Sequence, residues 1–545
     1  MLMPPSQLWN QLGRLHSFGS CRYAHLQQPK PTAGRVARKM SDHGRISRRV
    51  FLTRLGGVTL SLGSMPWWLP RVAFGKDPYA GGVWLAGDHH IHTKYSPDGQ
   101  YEIIEQVTQA RRHGLSWCVI TDHGGPRHDK VVVEQAYPEL LAARKRHPAV
   151  HVFQGLEWNV PEADHGTVIL PPTPDEAKII AEFERRYDSK NFSLTKLPAR
   201  TEKDAVEAVK YLQSLTPKPL FFVNHPARTG RVSPMEMRAW AGAGPDVTRG
   251  FEGAPGHQAA SLIHAHRGHY HKSPVSSSWH GYPEESYRTF GGYDWYVAKV
   301  GGLWDSLLGE GRPWYITANS DAHRHHSDHR LVDPGTYLIK GHVTPTTQPV
   351  TDPGAHGNID FWPGEYSKTW VYATHAEPMA VLSALRSGSM FTVHGDLIDR
   401  LELRAKSADS MAPMGGTLML EKRGEAVDLT VRMREASGEN FGGLRPRLHH
   451  FDLIVGDILG PAADRSVMVN ESTRVLVQVS VKEMQREGPW LSYRHRFDRF
   501  EKDFYIRLRG TNRDLAEPEM DSLTVNPWED LWFYSNPVMV RIRKT

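Results

Sequence analysis

The sequence predicts an α/β protein: a barrel-like layer of strands and helices over residues 76–400, followed by an antiparallel β-sandwich over residues 401–545. Three observations carry that expectation. From Val83 onward, short apolar runs alternate with helical patterns. Five segments put His, Asp or Glu where an apolar run stops, and chemistry in barrel-like α/β folds gathers at the C-terminal strand ends. After about Leu401 the pattern changes to apolar–polar alternation with turn-rich links.

Val83–Ala86 is the first expected strand. Tyr101–His113 has Ile103, Ile104, Val107 and Ala110 at helical spacing, with Gly114 as its stop. Leu115–Ile120 and Val150–Leu156 are the next strands, and Val168–Leu170 is a short apolar run. Glu202–Leu215 is helical, with Val206, Val209 and Leu212 on one face. Leu220–Val223, Arg249–Glu252 and Trp314–Thr317 read as further strands. Residues 254–312 interrupt the rhythm with Gly, His, Ser, Tyr and Trp and are expected to form a lid-like insertion; residues 341–368 are a second long loop. A helix over Glu377–Arg386 and a strand over Met390–Val393 close this part. The sandwich strands are Val427–Met433, Phe451–Val455, Val475–Val481, Phe504–Leu508 and Val538–Ile542.

The chain of 545 residues has a formal charge of +6. Residues 1–75 hold eleven Lys/Arg against one Asp, so the remaining residues hold 55 basic against 59 acidic groups. A mildly acidic body has no field to attract a polyanion, and no nucleic-acid partner is expected. Ser47-Arg48-Arg49-Val50-Phe51-Leu52 looks like a twin-arginine export signal, with a diluted apolar stretch to Leu69 and small residues at Ala73-Phe74-Gly75. Residues 1–75 are therefore expected to be a leader handled by the twin-arginine machinery, the mature chain periplasmic or secreted, with no stable membrane span. Cys21 lies in that leader and Cys118 in an apolar run, so the mature chain is expected to form no internal disulfide.

The five segments are Asp88-His89-His90-Ile91-His92-Thr93, Thr121-Asp122-His123, Gly155-Leu156-Glu157, Asn224-His225-Pro226 and Ser320-Asp321-Ala322-His323. Residues i and i+2 of a strand face one side, so His90 pairs with His92 and Asp321 with His323. Mixed imidazole and carboxylate donors suit Zn, Mn or Fe rather than Ca or a thiolate cluster. Asp88 and Asp122 are candidate acceptors fixing the ligand tautomers. Arg228, just past Asn-His-Pro, is a candidate for binding a substrate anion. His325, His326 and His329 read as a solvated loop. The histidines at 264, 266, 269, 271 and 280 are lid or surface.

Residues 87–125 resemble the opening of the polymerase-and-histidinol-phosphatase (PHP) family. They carry Asp-x-His-x-His-Thr, Ser96-x-Asp98-Gly99 and Ile120-Thr121-Asp122-His123 in its order, and the resemblance continues through Glu157, His225 and Asp321/His323. It implies a distorted, seven-stranded (β/α)7 TIM-like barrel holding two or three divalent metal ions. His90, His92, Glu157 and Asp321 would hold the first. Glu157, His165 and His225 would hold the second, with Asp164 as an alternative to His165. Asp98, His123 and His323 would hold a third. Trp370–His394 and the closing part with Asn536-Pro537 look like the secreted branch related to carbaryl hydrolase.

The expected activity is a metal-dependent phosphoesterase acting on a small phosphate ester, through water activated at His90, Glu157 and Asp321. The alternatives are a carboxylic ester, carbamate or amide hydrolase on the same metals, and a non-catalytic binding protein whose β-sandwich is the recognition surface.

Overall fold

The computed structural model describes residues 77–191, 201–256, 276–283, 288–328, 330–349, 360–408, 410–498, 500–522 and 525–543. The leader expected over 1–75 lies outside them, as do His264, His266, His269, His271 and His329.

The strands that carry the predicted ligands are β1 (Val83–Asp88), β2 (Trp117–Ile120), β3 (His151–Asn159), β4 (His165–Ile169), β5 (Leu220–Val223), β6 (Thr248–Ala254) and β7 (Tyr315–Ala318). They neighbour one another in that order. Between them lie α1 (Ile103–Arg112), α2 (Tyr137–Arg146), α3 (Glu176–Tyr187), α4 (Glu202–Ser214), α5 (Pro234–Ala243) and α6 (Leu303–Gly309). Beyond them follow β8 (Ser367–Ala373), α7 (Pro378–Ser387) and β9 (Met390–His394). Local chemistry sets several boundaries. Thr201 and Asp204 form a capping box at α4, and Ser233 and Glu236 form another at α5. Gly388 ends α7 in a left-handed conformation at φ 70°.

Both faces of the strands are buried. Leu85, Trp117, Val119, Phe153, Phe222, Tyr315, Val371 and Met390 meet in one inner cluster with Val381 and Leu385 of α7. The alternate residues Ala86, Cys118, Ile120 and Val152 pack on Ile103, Val107 and Leu140 of α1 and α2. Two-sided burial explains why these strands read as continuous apolar runs.

Where a (β/α)7 barrel was expected, the ligand-bearing strands form a mixed α/β sheet. β1–β2–β3 and β5–β6–β7 are parallel, whereas β4 runs antiparallel to both β3 and β5. The reason is the short turn over 160–164, which folds β4 straight back on β3 and leaves no room for a crossover helix. The far edge is joined by side chains. Ala318 N–H donates to Thr369 Oγ1 (2.9 Å), which donates back to the Ala318 carbonyl (2.8 Å). Asn536 accepts from Ile316 N–H (2.8 Å) and donates to the carbonyls of Ile316 (3.1 Å) and Met390 (3.0 Å).

The C-terminal strands are β10 (Ile398–Lys406), β11 (Met411–Pro413), β12 (Thr417–Leu420), β13 (Val427–Glu435), β14 (His450–Asp457), β15 (Arg474–Ser480), β16 (Gln485–Glu487), β17 (Trp490–Phe497), β18 (Phe504–Thr511), β19 (Trp532–Ser535) and β20 (Val538–Ile542). β11–β10–β13–β17–β16 form a separate antiparallel sheet. Its Leu403, Val431 and Met433 pack on Phe451, Leu453 and Ile506 of the other strands. This is the expected sandwich, with one difference: its second layer is continuous with the ligand-bearing sheet, through β19 paired to β9.

The expected lid over 254–312 is corrected in its second half. Tyr293, Tyr296, Leu303, Trp304 and Leu307 are buried in the main core. Asp305 of α6 also receives a two-pronged ion pair from Arg507 at 2.8 and 2.6 Å. Aromatic and Gly-rich composition marked this stretch as a loop, but its aromatics are core residues. Among the described residues, no helix is long and apolar enough to cross a membrane.

Candidate metal centre

The segment after β1 is held between two others as a continuation of the strand. Ile91 bridges Ala322, His92 N–H donates to the Ala322 carbonyl (2.9 Å), and Thr121 N–H donates to the Ile91 carbonyl (2.9 Å). This extended register sends His90 and His92 to one side and buried Ile91 to the other. Glu157 enters from β3, where it bridges His123. Asn159 pairs with His165 across the hairpin, which brings His165 beside Glu157.

Four donor atoms converge on one point. His90 Nε2 and His92 Nε2 are 3.0 Å apart. Glu157 Oε2 lies 3.2 and 3.1 Å from them, and Asp321 Oδ1 lies 3.2 Å from each. A tetrahedron with such edges has its centre about 1.9 Å from each corner, close to the bond length of zinc to nitrogen or oxygen ligands. The tautomers fit as well. His90 Nδ1 faces Glu252 Oε1 at 2.6 Å and His92 Nδ1 faces Ser96 Oγ at 2.8 Å, which leaves each Nε2 lone pair turned inward. Two lone pairs and two carboxylate oxygens at these separations repel unless a cation or protons lie among them.

Glu157 has a second face. Its Oε1 lies 2.9 Å from His165 Nδ1 and 3.2 Å from His225 Nε2, and accepts from Asn224 Nδ2 at 3.1 Å. His165 Nδ1 makes no hydrogen bond within the chain, although it is buried. A third group joins His92, Asp98, His123 and His323. His123 Nε2 is 3.4 Å from Asp98 Oδ2, and its Nδ1 is 2.9 Å from Glu157 Oε2. A neutral imidazole offers one lone pair, so His123 serves the second group or the third but not both at once. His, Asp and Glu donors at these separations fit divalent transition metals.

The electrostatics follow from this crowding. Burial alone would raise the Glu157 carboxyl, but His165, His90 and His123 outweigh it and hold it well below the usual range. Burial opposes a charge on His123 and His323, yet the carboxylates around them, Glu157 and Asp98 for the first, Asp98 and Asp321 for the second, push them up to about 9 and about 10. His165 goes the other way, lowered by burial to about 3, so it is neutral and ready to donate its lone pair. His89 points out of the cluster, stacks on Phe222, and is lowered by burial to about 4.

The backbone is strained at two of these positions. His225 has φ 28° and Asp321 has φ 47°, in the left-handed region that a side chain disfavours. Close approach adds a constraint: a Cβ on Gly256 would lie 2.0 Å from Asp321 Cβ and 2.5 Å from the Ser320 carbonyl.

All nine residues expected to hold metal therefore meet in one place. Two expectations are corrected. Asp88 and Asp122 do not receive ligand imidazoles: Asp88 accepts the N–H groups of His90 and Ser320 (3.0 Å each), and Asp122 accepts Thr93 N–H (2.6 Å) and Oγ1–H (2.7 Å). Each is a short side chain whose donors are main-chain N–H groups and, for Asp122, the Thr93 hydroxyl. His325 is not on a solvated loop. It is buried, stacks on Trp362, and lies 3.0 Å from Glu365 Oε2, while His326 is exposed. His280 is exposed. Asp164 accepts from Arg228 (2.8 Å) and from Thr229 Oγ1 (3.0 Å) and lies 3.6 Å from His165 Nδ1 and 3.8 Å from His225 Nδ1, so Arg228 adjoins the donor cluster through this carboxylate. Two residues were not foreseen. Glu252 lies near the C-terminal end of β6 and closes the apolar run read from the sequence as Arg249–Glu252, a signal already visible there. Asn224, beside His225, holds Glu157 and accepts Thr167 N–H at 2.9 Å.

A mixed α/β sheet with imidazoles and carboxylates converging beside its strand ends is a candidate divalent-metal site, of the kind that metal-dependent hydrolases use. Residues 88–214 match the family model of the PHP domain. A search of curated proteins finds no match. Among solved structures, the chain is similar to a two-domain protein of Bacteroides vulgatus described as containing a predicted PHP-like metal-dependent phosphoesterase. The identity is 15%, the match covers 83% of this chain and 95% of that one, and the TM-score is 0.31. It is also similar to the lesion-specific endonuclease PfuEndoQ of Pyrococcus furiosus, at 12% identity, 56% and 57% coverage and a TM-score of 0.29.

Proposed function

We propose that the protein is a phosphoesterase acting on a small phosphate ester with two or three divalent ions (Zn, Mn or Fe). One observation carries the reading: the two oxygens of Glu157 face two different donor groups, as a carboxylate shared between neighbouring ions does. His90, His92, Glu157 and Asp321 would hold the first ion; Glu157, His165 and His225 the second; Asp98, His123 and His323 the third. Bound ions supply Lewis acidity that acidifies water and offsets charge developing on substrate oxygen.

The chain's own groups do the rest. Glu252 holds the proton on His90 Nδ1, and Asn224 holds Glu157 in its shared position. Arg228 offers a guanidinium fork beside the second donor group, where a phosphate oxygen would compete with Asp164 for its donors. That cation favours phosphate over a carboxylic ester or carbamate, the second reading on the same metals. The test is metal analysis of the purified protein, followed by turnover of p-nitrophenyl phosphate, bis(p-nitrophenyl) phosphate and p-nitrophenyl acetate. Faster acetate turnover would favour the second reading, and full activity in His90→Ala would overturn both. We also propose export by the twin-arginine route, on the strength of Arg48-Arg49. Retention in the cytoplasm of a bacterial host with an active twin-arginine system would count against it.

A further inference from the structure

The metal donors lie near or beyond the C-terminal ends of the parallel strands, with His165 at the start of antiparallel β4. A cavity of about 510 Å³ lies at the opposite end, at the starts of β6 and β7 and the last turn of α7. Tyr315 opens β7 and Asp321 lies six positions further along the chain, a path on the order of 20 Å when extended. The cavity belongs to no part of the site described above.

Its wall carries three arginines, Arg249, Arg386 and Arg541, and a single carboxylate residue, Asp246. Arg541 is paired with Asp503 at 3.0 Å. Among the described residues, Arg249 and Arg386 form no ion pair. Arg386 donates only to main-chain carbonyls, those of Asp246 and Lys218 at 2.7 Å each and of Pro219 at longer range. The Asp246 carboxylate is taken by Gln213 Nε2 at 2.5 Å, with Lys218 Nζ at 3.9 Å. Arg249 is only 7% exposed. One terminal nitrogen donates to the Pro245 carbonyl (3.0 Å), the guanidinium lies by the Tyr315 ring, and its Nε has no hydrogen-bond partner. Burial, and then the Arg249 charge, pull Arg386 down to about 10. Arg249 is buried and Arg386 half-buried, and Asp246 is the one carboxylate of the wall that offsets the Arg386 charge; three guanidinium groups against one carboxylate leave a positive wall, and the cavity beside it is where a further counter-charge can sit.

We propose that this cavity binds a small organic oxyanion, held between Arg249 and Arg386 with its apolar body on Met419 and Met539. Planar guanidinium forks suit the paired oxygens of a carboxylate or phosphate. The volume is that of a small-molecule site, and the methionines give an adaptable apolar wall. The ligand is anionic at one end and apolar at the other.

Isothermal titration calorimetry of the full-length, metal-loaded protein tests this, with benzoate and phenylphosphonate as probes; neither contains an ester. Saturable binding is expected, weakened at least tenfold in Arg386→Gln and in Arg249→Gln. Arg386 also ties down carbonyls, so its loss could unsettle the fold. Ser383, exposed at the cavity rim, gives a milder pair: Ser383→Glu weakens binding several-fold and Ser383→Lys strengthens it. Preference between the two probes assigns the head group. Absence of saturable binding of either probe at 10 mM overturns the proposal. So does binding that is lost when metal is chelated but unmoved by both Ser383 changes, since the probe then sits at the metal centre.

Discussion

His90 Nδ1 lies 2.6 Å from Glu252 Oε1, and the other oxygen of the same carboxylate accepts the main-chain N–H of His225 at 2.8 Å. One buried side chain thus fixes the tautomer of His90 in the first donor group and the backbone of His225 in the second. Glu252→Gln keeps one of these bonds and sets an amide donor against the other. Metal affinity should fall about tenfold in the Gln variant and up to about a hundredfold in Glu252→Ala. Competition against a chelator of known affinity measures both. Unchanged affinity in Glu252→Ala would remove the positioning role.

The metal-free cluster holds protons where ions would lie. His90 is raised well above its ordinary value by Asp321, Glu157 and Glu252 against the pull of burial, and His123 and His323 reach about 9 and about 10. Ligands must lose these protons to bind metal. At pH 7 zinc uptake should therefore release protons, and affinity should rise with pH up to about 9. Calorimetry in buffers of different ionisation enthalpy counts them. Uptake without proton release would contradict this electrostatic picture.

Asp321, a proposed metal ligand, has a left-handed backbone at φ 47°. Asp321→Gly should stabilise the metal-free protein by about 1 kcal/mol, since glycine adopts this conformation without strain. The same change should cost the first site most of its metal affinity. Denaturant midpoints with and without zinc read the two effects separately, and a less stable metal-free variant would show that strain is not stored there.

Thr369 satisfies both main-chain groups of Ala318 where β7 meets β8 without a ladder. Thr369→Val keeps the shape and removes both bonds, leaving a buried N–H and C=O unpaired. The expected loss is about 3 kcal/mol, read as a lower denaturant midpoint. A neutral result would mean the edge is held by packing alone.

Asp294 gives the clearest pH signature away from the metal donors. Burial pushes its carboxyl up to about 7, against the N–H groups of Tyr296 and Ala227, which favour the charge. A folded-state value above the unfolded one means that its contribution is fully present below about pH 4 and is lost as pH rises through 7. Asp294→Asn lacks this slope. Its amide faces Ala227 N–H and costs a constant amount, so the comparison rests on slope, not offset. The variant should gain on the parent between pH 4 and 7, by up to about 4 kcal/mol, and level off above. Parallel pH profiles would refute the assignment.

Much of the site was legible in the sequence because strand periodicity is local. Alternation along an extended chain is enough to pair His90 with His92 and to turn Ile91 away. Strand-end position likewise picked out Glu157, His225 and Asp321, and applied evenly it would have found Glu252. The helices over 128–146, 176–187 and 234–243 were not legible; α2, for example, buries only Leu140 and Ala143, too few to mark a face.

The amino-acid order by itself determined which groups could donate to a metal and on which side of each strand they lie, since both follow from residue identity and a two-residue repeat. Only the tertiary structure decided that β4 turns back to set His165 beside Glu157, that Glu157 divides its oxygens between two groups, and that the carboxylate beside His90 is Glu252. Those relations join residues from 8 to 162 positions apart, and contacts of that kind are fixed by which surfaces pack and which buried polar groups find partners.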